Sequence, residues 1–123
     1  MKTITLANLK DSTAQEVFEF VAQHLLNQNQ RCMNNGKCAY RGEDGLKCAV
    51  GVIIADDEYD PVFDMVSDSA IQCLVRDKRI KISDHLELLT MLQSIHDTYP
   101  EFQWEDKLKS LADRFGIVTE IFE

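Results

Sequence analysis

The chain has 123 residues, 45% of them apolar and 28% charged, with 13 basic against 21 acidic side chains and a formal net charge of −8. That balance belongs to an ordinary globular chain and excludes collagen-like, fibrous and intrinsically disordered classes. No apolar run approaches the roughly 20 residues needed to cross a bilayer, and the acidity argues against general nucleic-acid binding, which rests on cations displacing counterions from phosphate.

The expected architecture is a single α+β domain over 1–123, mostly helical, with three main amphipathic helices, shorter helical pieces and a small sheet. Thr3, Ile4, Thr5 and Leu6 alternate as in a short strand with one buried face. Thr13-Ala14-Gln15-Glu16 reads as a capping box, in which the hydroxyl accepts from an orphan N–H and the carboxylate reaches back. Ala14, Val17, Phe18, Val21, Leu25 and Leu26 follow at helical spacing, predicting a helix over about 14–27.

Asn34-Asn35-Gly36 signals a turn, Cys38 to Arg41 suits a strand, and Gly42-Glu43-Asp44-Gly45 is a second turn. Leu46 to Ile54 is almost continuously apolar. Its β-branched residues favour a strand, while a short buried helix starting near Lys47 is the alternative. The helix is preferred, partly on the resemblance described below. A short helix is expected within 68–77 and an extended piece over 80–82. Ser83 is expected to cap a helix with Leu88, Leu89, Leu92 and Ile95 on one face, ending before Pro100. A last helix carries Trp104, Leu108, Leu111, Ala112 and Phe115, with Gly116 as its C-cap. Ile117 to Phe122 is read as a closing strand against residues 3–6.

Met1 to Leu6 has no continuous apolar stretch of the kind a secretory leader carries. A cytoplasmic setting with Cys32, Cys38, Cys48 and Cys73 as free thiols is therefore expected. The cysteines include no Cys-x-x-Cys pair. On one helix His85 and His96 would stand roughly 16 Å apart, too far to share an ion. With Asp56 as the first position of a calcium loop, Pro61 and Ser67 replace the required Gly and Glu. No metal or cofactor is expected. Tyr40 and Trp104 offer stacking surfaces, but a Trp on an apolar helix stripe reads first as core.

The segment from Cys38 to Gly51 concentrates the chemistry. Cys48 in the first turn of a helix, beside Lys47, would favour a thiolate. His96 would serve as its base, with Arg41 or Lys47 holding an anionic substrate. Asp97 neighbours His96, but adjacent helical residues diverge, so it is expected to orient the ring poorly. The structural alternative makes Cys38 and Cys48 small core residues and places the His96 ring on the flank of the core stripe. His24 and His85 have no assigned role beyond helix surfaces or boundaries. A second feature is the acidic run Asp56, Asp57, Glu58, Asp60, Asp64 and Asp68, followed by the basic Arg76, Lys78, Arg79 and Lys81. These are two solvated loops, or the first is a docking surface for a basic partner.

Cys38-Ala39-Tyr40-Arg41-Gly42 … Gly45-Leu46-Lys47-Cys48-Ala49-Val50-Gly51-Val52-Ile53-Ile54, followed by Asp57-Glu58-Tyr59-Asp60-Pro61, resembles a group of small uncharacterised bacterial and phage proteins. The resemblance extends to Ala14-Gln15-Glu16-Val17-Phe18 and to Leu92-Gln93-x-Ile95-His96-Asp97 … Trp104 … Leu108 … Leu111-Ala112. It differs at Asp56 and Val52, where the group commonly has other residues. It implies an intracellular, often prophage-encoded setting and no catalytic assignment. The expected function is a non-enzymatic acidic binding protein engaging a host macromolecule, such as a host protein, through the acidic run. A Cys48–His96 enzyme is the alternative. A homodimer completing the apolar 46–54 run is a third reading.

Overall fold

The computed structural model describes residues 2–34, 37–38, 41–42, 45–59 and 85–122. The expected elements within 68–83 lie outside them, as do Tyr40, Cys73, Asp60, Asp64, Asp68 and the basic residues from Arg76 to Lys81.

Among the described residues three α-helices carry the fold: α1 (Ala14–Gln28), α2 (Leu86–Thr98) and α3 (Trp104–Arg114). Each packs on the other two. α1 starts where the capping box predicts: Glu16 N–H donates to Thr13 Oγ1 at 3.1 Å, and Thr13 N–H donates to Glu16 Oε1 at 2.8 Å. α2 starts at His85, whose φ of 64° is left-handed and whose Nε2 lies 2.6 Å from Ser12 O, tying this helix to the entry of α1. It ends at Tyr99, whose extended backbone leads into Pro100. α3 closes in a Schellman motif: Ile117 N–H reaches Ala112 O at 2.8 Å and Gly116 N–H reaches Asp113 O at 3.2 Å. Gly116 takes the φ of +65° this requires.

The α+β expectation is corrected. Among the described residues the fold is helical, and no sheet layer forms. The only ladder among the described residues is a two-rung hairpin of β1 (Met33–Asn34) with β2 (Lys37–Cys38). Residues 3–6 form no strand because side chains, one near in sequence and one distant, take backbone groups a ladder would use. Thr5 N–H donates to Asn8 Oδ1 at 2.9 Å, Asn8 Nδ2 donates to Thr3 O at 2.9 Å, and Leu6 N–H donates to Glu58 Oε1 at 3.0 Å. Residues 117–122 form no closing strand either. They run back over α1, where Thr119 Oγ1 donates to Glu19 Oε2 at 2.9 Å and Phe122 meets Phe18 edge-on at 6.2 Å.

The core lies between the helices: Phe18, Val21 and Leu25 of α1, Leu88, Leu89 and Leu92 of α2, and Trp104 and Leu108 of α3 are all buried. Each large aliphatic side chain withdrawn from water contributes about 1.5–3 kcal/mol. The apolar 46–54 run joins this core, so Cys48, Ala49, Val50, Ile53 and Ile54 are buried within the chain itself. It is neither a strand nor an α-helix, but a tight 3-10 turn over Gly51–Ile53. No second copy is needed to cover it.

Thr13→Ala removes the hydroxyl half of the capping box. A loss of about 1 kcal/mol in urea unfolding is expected, with the unfolding slope unchanged.

Candidate functional site

The motif segment turns sharply at two glycines. Arg41 and Lys47 form an isolated antiparallel bridge, and Gly42 N–H donates to Leu46 O at 3.0 Å. Gly45 closes the turn with a φ of +76°. Gly42 is required for a different reason: a Cβ there would sit 2.6 Å from Met33 O and 2.9 Å from Cys32 Sγ.

Side chains of the helices bind the backbone of this segment. Gln28 near the end of α1 makes a paired contact with Lys47, accepting from its N–H at 3.0 Å and donating to its carbonyl at 2.9 Å. His24, one turn earlier, places Nε2 2.8 Å from the same carbonyl. Since a carbonyl only accepts, Nε2 carries the proton. From α2, Gln93 Oε1 accepts Val50 N–H at 2.9 Å. None of these roles was legible beforehand, because each pairs a helical side chain with backbone 19 to 43 residues away.

The proposed nucleophile and base have other duties. Cys48 is buried, and its Sγ accepts Gly51 N–H at 3.2 Å. Burial pushes its thiol well above the ordinary range, and the negative charge of Asp97 acts in the same direction. A thiolate favoured by a helix start is thus corrected: the turn is short, and loss of hydration outweighs its donors. The His96 ring is fully buried and stacks on Trp104 at 5.6 Å. Its Nε2 accepts Cys32 N–H at 2.9 Å. Its Nδ1 therefore carries the proton and donates to Asp97 Oδ1 at 2.7 Å. This reverses the expectation that Asp97 orients the ring poorly. The angle between helical neighbours ignores the short reach from Nδ1, the nitrogen nearer the backbone. With both nitrogens bonded, His96 holds the Cys32 backbone; taking a thiol proton would break that bond.

Cys32 is also buried, and its Sγ donates to Leu46 O at 3.2 Å. The Arg41 guanidinium donates to Ile54 O at 2.6 Å, pairs with Asp56 at 2.7 Å and lies 4.6 Å from the centre of the Tyr59 ring. Lys47 Nζ stands 4.0 Å from the same Asp56 oxygen.

The described acidic residues divide by role. Asp56 and Asp57 are exposed. Glu58 instead reaches inward, its Oε1 accepting from Leu6 N–H at 3.0 Å and Ala55 N–H at 2.9 Å, and its Oε2 from Ala7 N–H at 3.0 Å. It fastens the N-terminal segment to the acidic loop. Among the described residues, no three His, Cys, Asp or Glu side chains gather where they would hold a metal ion. No helix among them is long and apolar enough to cross a membrane.

No protein family, curated protein or solved structure matches the chain.

Two measurements check this geometry. Iodoacetamide at neutral pH should alkylate Cys48 far more slowly than a free small-molecule thiol, by about a hundredfold or more, until denaturant opens the core. His24 gives a pH dependence. Burial, the larger effect, lowers its proton affinity below the ordinary 6.5, against the opposing pull of the Lys47 carbonyl. The unfolded chain then binds more protons near and below that value. Stability should be full above pH 6.5 and fall as acid is added. His24→Gln, which retains an N–H donor, should flatten the decline in unfolding free energy between about pH 7 and pH 5.

Proposed function

We propose that the protein is a small, acidic, non-catalytic binding protein that engages a host macromolecule in the cytoplasm. The observation that carries this reading is the state of His96. Both ring nitrogens are bonded inside the fold, one to Asp97 and one to the Cys32 backbone, at full burial. Cys48 is enclosed as well. These groups serve as internal fasteners, which favours binding over thiol chemistry.

The contact surface in this reading begins at Asp56 and Asp57, which face solvent on a chain of net charge −8. Such a surface attracts a basic partner and hastens encounter. Glu58 is left out of the surface because its carboxylate is bonded to three backbone N–H groups. The phage or prophage setting rests on the motif resemblance alone.

The test is affinity capture from host lysate with the wild type, Asp57→Lys and Cys48→Ala, quantified by mass spectrometry. A specific partner should be retained by the wild type and by Cys48→Ala, and lost with Asp57→Lys. Its retention should weaken as salt is raised. Absence of any specific partner, or indifference to the charge reversal, overturns the reading. Loss on Cys48→Ala alone, in a variant shown to be folded, favours the thiol alternative.

A further inference from the structure

The solvent side of the α2–α3 pair carries a groove of about 210 Å³. Its origin is local. Ser94 on α2 and Ser110 on α3 line it, and both are exposed small residues where larger ones would fill the space. Ile95 and Leu111 form its floor. They retain 6% and 5% exposure, whereas Leu88, Leu89, Leu92 and Leu108 retain 1% or none. The core is thus slightly opened to water along this line. Met91 and Tyr99 add further apolar surface.

The charge beside the groove runs against that of the whole chain. Lys107 and Arg114 line it from the same face of α3, two turns and roughly 10 Å apart. Lys107 Nζ rests 4.4 Å from the centre of the Tyr99 ring, a cation–π contact rather than an ion pair. Arg114 meets Glu87 at 3.7 Å, with both side chains more than half exposed, so this pair adds little. An apolar trough with cations on one side is complementary to a peptide with apolar residues on one face and carboxylates along the adjoining edge.

We infer that the α2–α3 groove is a docking site for an acidic amphipathic peptide segment of a partner protein. Apolar side chains of the segment sit over Ile95 and Leu111, and its carboxylates meet Lys107 and Arg114. This surface is separate from Asp56 and Asp57, so it goes beyond the reading above and its failure is distinct.

The probe is a displayed library of random peptides of about twelve residues, selected on the immobilised wild-type protein and counter-selected on Ser110→Phe. Far-ultraviolet circular dichroism first verifies that the variants are folded. Selected peptides should combine apolar residues three or four apart with Asp or Glu. By fluorescence anisotropy they should bind Lys107→Glu and Ser110→Phe at least about tenfold more weakly, and Asp57→Lys as tightly as the wild type. Enrichment of basic peptides, binding indifferent to Lys107→Glu and Ser110→Phe, or no enrichment overturns the inference.

Discussion

Every buried backbone N–H and C=O must find a partner, and in this fold the central segment meets that demand almost without a sheet. The described residues from 45 to 54 are mostly in or near the core, yet among the described residues of this region there is one isolated bridge and one short 3-10 turn. Helical side chains supply what strands usually would. Gln28 and His24 bind Lys47, Gln93 binds Val50, and His96 binds Cys32 just ahead of the segment. An unpaired buried amide costs about 1–3 kcal/mol, so the loss of any one of these contacts is a substantial cost to the fold.

The same constraint explains why groups suggestive of catalysis are quiet. A histidine beside an aspartate and near cysteines looks like a reactive set on paper. Here Asp97 fixes the His96 tautomer so that Nε2 is left as an acceptor, and the Cys32 amide occupies it. Gln93 Nε2 donates to that same Asp97 oxygen at 2.9 Å while its carbonyl oxygen takes Val50 N–H. Two loop amides are thus joined through one half-exposed carboxylate. The arrangement resembles the base-and-orienter part of an enzyme site, but its function is positional.

The helices were legible because their signals are local. The capping box at Thr13, the stripe from Val17 to Leu25, the stop before Pro100 and Gly116 each depend on residues within a turn or two. The terminal segments depart from their strand-like pattern for the opposite reason. Alternation at Thr3 to Leu6 suits a strand, but Asn8 and Glu58 capture its amides, and Glu58 is distant in sequence. In the sequence Glu58 is one more acid of a solvated loop or docking run, since nothing in an acidic run distinguishes the carboxylate that turns inward. The thiols were ambiguous because a cysteine beside lysine is compatible with reactivity or burial, and only packing decides.

The fastening of Lys47 and Val50 through their main chain has an evolutionary corollary. A side chain that grips peptide groups constrains the main chain it holds, so the Lys47 side chain is freer to vary than Gln28 or Gln93. Substitution should therefore be tolerated better within parts of the conspicuous motif than at two unassuming glutamines outside it. The eye drawn to glycines and cysteines is looking at the cargo, and the clasp is elsewhere.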